Sequence, residues 1–119
     1  MNDFRELNVW KKSRCLLLLV YKITEIFPNN KFPGLTNQLR NSCVDILANI
    51  TRAFSVKKYE EITRFLQSSI GSVKKLELQI RKAYDHHFIN NLDYGYLNHK
   101  TKEISKLLKY SITNLKTES

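Results

Sequence analysis

Apolar residues recur every three to four positions along most of the chain, and breaks in that rhythm mark out four segments. The first runs from about Asn8 to Phe27, with Val9, Leu16, Leu19, Val20, Ile23 and Ile26 or Phe27 on one stripe. Such spacing predicts an amphipathic helix that turns one face to a core. Pro28 and the segment PNNKFPG, with Pro33 and Gly34, end it, because proline lacks the amide that a helix needs. The second segment, from Leu35 or Thr36 to Phe54, carries Leu35, Leu39, Cys43, Ile46, Ile50 and Ala53 or Phe54, with Thr36 as the expected N-cap. Ser55 is placed to cap a third, from 56 to about His87, with a stripe of Ile62, Phe65, Leu66, Ile70, Val73, Leu76, Ile80 and Ala83 or Tyr84. After the aperiodic stretch Phe88 to Leu92, Asp93 is the expected cap of a fourth helix, 93 to about 116, which carries Leu97, Thr101, Ile104, Leu108, Ser111 or Ile112, and Leu115. Lys116 to Ser119 reads as a frayed tail. Short connections between four such helices predict an all-α fold, an antiparallel up-down-up-down four-helix bundle formed as one domain by residues 1–119. No internal repeat is visible.

Some apolar positions do not fit one core. Four consecutive helical residues fan out over roughly 300°, so Leu16 to Leu19 cannot all face inward. Leu17, Leu18 and Tyr21 fall off the stripe, and with Trp10 they predict a second apolar contact, a homo-oligomer interface. At the N-terminus Asp3 and Glu6 suit a capping box, while Asn8 is the preferred cap of the long helix. Phe4, Leu7 and Trp10 then gather as a structural lid over the bundle rim or a subunit seam. Gly71 lies mid-helix, where glycine costs about 1 kcal/mol relative to alanine, so a close helix approach is expected there. Glu60 with Arg64 and Glu77 with Arg81 are spaced as i,i+4 pairs.

Charge adds the main functional cue. Twenty Lys and Arg against eleven Asp and Glu leave a net charge of +9, which favours phosphate-rich or acidic partners. The candidate contacts are Lys11, Lys12 and Arg14, then Arg40 and Arg52, Lys57 and Lys58, and finally Lys74, Lys75, Arg81 and Lys82, with Lys100, Lys102, Lys106 and Lys109 as a further flank. No helix-turn-helix pattern accompanies them, so sequence-specific DNA reading is not expected. Candidate chemistry is sparse. His86 and His87 point about 100° apart on a helix, which is wrong for two ligands of one metal ion, and no phosphate loop, HExxH, GxSxG or paired CxxC occurs. The reading is of a non-enzyme without cofactor, metal site or small-molecule substrate. Cys15 and Cys43 sit among aliphatic residues and read as buried thiols. A polar start and an apolar run of only Cys15 to Tyr21 predict neither signal peptide nor membrane span, hence a cytoplasmic protein.

Four stretches carry a family resemblance: FRELNVWKKS at 4–13, GLTNQLRNSCVDILANI at 34–50, YEEITRFLQSSIGSVKKLELQI at 59–80 and EISKLLKYSI at 103–112. Together they make the chain resemble the four-helix bundle proteins encoded in intervening sequences of bacterial 23S ribosomal RNA genes. The resemblance implies a ring-forming homo-oligomer, usually a pentamer, without established catalytic activity. A related branch supplies the accessory variability protein of diversity-generating retroelements, which implies reverse transcriptase, RNA or DNA as partners. Where the family usually has a proline before an Ala-Asn-Ile-Ala-Glu-Gly type segment, this chain has Leu47, and ANITRA brings in Arg52 and Ala53. Loss of that proline and glycine is expected to straighten the second helix and extend it toward Phe54.

Overall fold

The computed structural model describes residues 4–28 and 34–118, with side chains described for 7–28 and 34–115. Asp3, the side chains of Phe4 and Glu6, and Pro33 therefore lie outside the described residues. Four helices make an all-α bundle: α1 (Phe4–Thr24), α2 (Leu35–Ser55), α3 (Tyr59–Asp85) and α4 (Asn91–Glu118). Among the described residues, α2 packs on α1 and α3, and α4 packs on α3 and α1, while the backbones of the diagonal pairs stay more than 8 Å apart. The bundle is long and narrow, 49 × 23 × 18 Å.

The interior follows the helical stripes. Val9, Leu16, Val20, Leu39, Cys43, Ile46, Ile50, Leu66, Val73, Leu76, Ile80, Leu97, Ile104 and Leu108 are all nearly sealed from solvent. Both α2 and α3 keep a serine at their seam. Ser69 Oγ donates to the Ile46 carbonyl at 2.9 Å and Ser42 Oγ to Gln79 Oε1 at 2.8 Å, so each buried hydroxyl is satisfied without separating the helices.

The helix ends differ from the sequence reading in instructive ways. Asn8 is not the cap of α1, since FREL contains no breaker and the helix propagates back to Phe4. At the other end α1 stops at Thr24, short of Phe27. Thr24 Oγ1 donates to the Val20 carbonyl at 2.7 Å, and the chain tightens through Glu25 N–H to Lys22 O and Phe27 N–H to Thr24 O. That turn buries Phe27 against Phe88, ring centroids 5.4 Å apart, and leaves Ile26 83% exposed. Thr36 does not cap α2. Gly34 does, at φ 93, a backbone conformation that favours glycine.

Ser55 ends α2 rather than capping α3, with its hydroxyl donating back to the Arg52 carbonyl at 2.9 Å. The extended Val56 to Lys58 follows, and α3 starts at Tyr59. It ends at Asp85 in a Schellman turn, with His87 N–H to Tyr84 O, Phe88 N–H to Ala83 O, and His87 left-handed at φ 64. The cap of α4 is Asn90, not Asp93, because Asn90 Oδ1 accepts the Asp93 N–H at 2.8 Å. Residues 116–118 belong to α4 instead of forming a frayed tail.

Two further expectations are corrected. Cys15 is exposed and Cys43 alone is buried, because Cys15 lies about 100° around the helix from its core-facing neighbour Leu16, whatever the aliphatic character of the sequence nearby. Gly71 is exposed, and a Cβ added there would meet no atom within 4 Å. Close packing within this chain does not account for that glycine, and nothing else in the structure explains it.

Candidate nucleic-acid interface

Helical periodicity divides the basic side chains into two groups, those used inside the bundle and those turned to solvent. Arg40, half-buried, is a tether. Its Nε donates to Thr24 Oγ1 at 2.9 Å, its NH2 nitrogen donates to the Tyr21 carbonyl at 3.2 Å, and its guanidinium lies 4.6 Å from the Tyr21 ring centroid. Lys12 Nζ lies 3.3 Å from Glu103 Oε2 and ties α1 to α4. Arg81 is exposed yet engaged. Its hydrogen bonds to Tyr94 and to Asp85, the latter at 3.0 Å, hold the guanidinium more firmly protonated. Asp85, four residues after Arg81, is thus the ion-pair partner found for it, and Glu77, four residues before, is half-buried.

The solvent-facing group comprises Lys11 and Arg14 on α1, Arg52 on α2, Lys57 and Lys58 in the α2–α3 connection, and Lys74 and Lys75 on α3, while Lys82 on α3 is exposed and, like Arg81, engaged. From Phe65 to Tyr84 the one acidic residue is Glu77. The outer face of α3 therefore carries cations with few carboxylates to compete for them. The α4 lysines Lys102, Lys106 and Lys109 are exposed as well.

Of the expected interface residues, Trp10 and Leu17 are half-buried, and the Trp10 indole N–H donates to Thr51 Oγ1 at 3.1 Å. Leu18 and Tyr21 are 51% and 38% exposed, and Val44 on α2 is 43% exposed. Val44 is an apolar position that the α2 stripe leaves out, and it was legible as a valine on the polar side.

A groove of about 1000 Å³ opens where α1 ends beside the α3–α4 turn. Leu19, Ile23, Ile26 and Phe88 give it an apolar wall, while Asp85, His87, Asn90 and Asn91 give it a polar one. Tyr84 stacks on Tyr94 with centroids 4.1 Å apart and donates from its hydroxyl to Asn91 Oδ1 at 2.6 Å, which fixes the turn. Sequence reasoning missed this groove because the α3–α4 turn assembles it from residues that share no periodicity. Among the described residues, no group of three or more His, Cys, Asp and Glu gathers to hold a metal ion. Likewise, no described helix is long and apolar enough to cross a membrane.

A family model described as 23S rRNA-intervening sequence protein matches residues 5–110. The chain belongs to this family. No functionally curated protein matches it. Its fold is similar to that of a crystal structure described as a protein with unknown function from the S23 ribosomal protein family of Bacteroides thetaiotaomicron VPI-5482. That likeness has 20% identity and a TM-score of 0.85, over 92% of this chain and 99% of the other. Within this family member, α2 runs unbroken through Leu47 and reaches Ser55. Arg52 stands exposed on its last turn, so the altered corner adds a cation to the surface.

Proposed function

We propose that this chain is a non-enzymatic, cytoplasmic RNA- or ribonucleoprotein-binding bundle that works as a ring-like homo-oligomer. The observation that carries this reading is the acid-poor outer face of α3, where Lys74, Lys75 and Lys82 are exposed and Glu77 is the one acid between Phe65 and Tyr84. Phosphate contacts of this kind are weak singly, and repeating them around an oligomer multiplies them. An up-down-up-down course is supported at the α1–α2 pair. Trp10 near the start of α1 bonds Thr51 near the end of α2, and Arg40 near the start of α2 bonds Thr24 at the end of α1. Leu18, Tyr21 and Val44 supply apolar surface for a second copy. A pentamer is the form expected from the family resemblance.

Filter binding to structured ribosomal RNA tests the reading. Binding at low salt should weaken steeply as salt rises, and K74E/K75E should weaken it further. No affinity at low salt, or affinity indifferent to salt, would overturn it.

A second reading draws on the exposed Leu18 and Tyr21: a scaffold that grips the reverse transcriptase of a diversity-generating retroelement and meets RNA or DNA only through it. Pull-down with such an enzyme separates the two. Capture that survives K74E/K75E and is lost in L18E favours the scaffold.

A further inference from the structure

We propose that the outer face of α4 is a track for single-stranded RNA, in which Tyr96 and Tyr110 stack on bases while Lys102, Lys106 and Lys109 hold the phosphates between them. The proposal rests on the RNA-binding reading above and adds to its α3 lysines a second face and a strand state.

Charge comes first. Between Asp93 and Glu118 the chain has five lysines and a single acidic residue, Glu103. That carboxylate is turned to Lys12 on α1, Oε2 to Nζ 3.3 Å. No other α4 carboxylate competes for these lysines over that span.

Geometry follows from helical spacing. Positions 96, 99, 102, 106, 109 and 110 recur at intervals that keep them on one side of α4, opposite the buried Leu97, Thr101, Ile104 and Leu108. Tyr96 and Tyr110 are 52% and 49% exposed, large apolar rings that the core does not take up. Fourteen residues apart in α4, they stand about 21 Å apart along the axis, a reach suited to a strand of roughly four or more nucleotides. Lys100 Nζ lies 5.3 Å from the Tyr96 ring centroid. The ammonium lies over one face of the ring, so a phosphate drawn to it is held close to Tyr96, and the face away from the lysine is the one a base would cover.

Strand state follows from the tyrosines. In a duplex the bases are paired and stacked on each other, and a ring outside has no face to cover. Splayed single-stranded bases each offer one, whatever the sequence. This suits a face without a base-reading element.

Fluorescence anisotropy with labelled oligouridine, an RNA duplex, heparin and polyglutamate decides the matter, using Y96A/Y110A, K102Q/K106Q/K109Q and K74Q/K75Q, each checked for native helicity. The expected result is that Y96A/Y110A weakens oligouridine binding about tenfold or more and leaves heparin, which has no bases, unchanged. K102Q/K106Q/K109Q should weaken both and lower the salt slope by about 2. If the wild-type chain binds oligouridine, both α4 variants match it and K74Q/K75Q does not, RNA binds at α3; the track is overturned and the RNA reading stands. Equal loss of heparin and oligouridine in Y96A/Y110A, or binding to polyglutamate as tight as to oligouridine, overturns base stacking. If the wild-type chain binds no RNA at low salt, the RNA reading fails and the track with it.

Discussion

Two cysteines of the same type diverge because one faces the core. Burial of Cys43 pushes its thiol from 9.0 up to about 12, since the thiolate is costly away from water. In the unfolded chain the thiol ionises near its ordinary value, so above pH 9 the unfolded state binds fewer protons than the folded one. The stabilising contribution is fully present below pH 9 and is lost as pH rises toward 12, with a slope of up to about 1.4 kcal/mol per pH unit. Denaturation of the wild type and C43A should therefore converge as pH rises, C43A being the less stable at pH 7 and the flatter above pH 9. A thiol reagent should modify Cys15 in the folded chain and reach Cys43 only on unfolding. Equal labelling rates would contradict the burial of Cys43.

At the scale of the helix, ends rather than middles departed from the periodicity. The stripes of α2, α3 and α4 were legible almost residue by residue because each apolar position repeats the same burial decision. A terminus is decided once, by whichever group satisfies the last amides or carbonyls. Asn90 took the cap of α4 from Asp93, three residues on, and Gly34 took that of α2 from Thr36. The α3–α4 turn offers a direct test. His87 holds φ 64 at the position where a Schellman turn usually has glycine, and a side chain there costs energy. H87G should raise stability by about 0.5–1 kcal/mol, the left-handed cost less the extra freedom that glycine loses on folding, measured by urea denaturation. A loss of stability instead would mean that the imidazole makes contacts worth more than the backbone strain.

At the scale of the whole molecule, Leu18, Tyr21 and Val44 leave apolar surface outside the core, which the proposed homo-oligomer would cover. Light scattering should give a mass several times 14.1 kDa, and L18E/Y21E should shift it toward one chain without loss of helicity. A wild-type monomer would overturn the homo-oligomer. The candidate interface was partly legible in the same way. Lysine doublets and excess charge are properties of the string of residues, so Lys74, Lys75 and Lys82 could be named without coordinates. The roles of Arg40, Lys12 and Arg81 could not, because Thr24, Glu103 and Tyr94 come from distant turns or other helices and reach them only after packing. The same holds for the aromatic and basic face of α4, whose lysines were visible as a flank while its exposed tyrosines were not. By itself the sequence determined the helix count, the buried stripes and the sign of the surface, since each follows from local periodicity and composition. Only the tertiary structure decided which charges are spent on holding the bundle together and which face solvent, because an ion pair or a hydrogen bond between helices depends on which neighbours packing brings within about 3 Å.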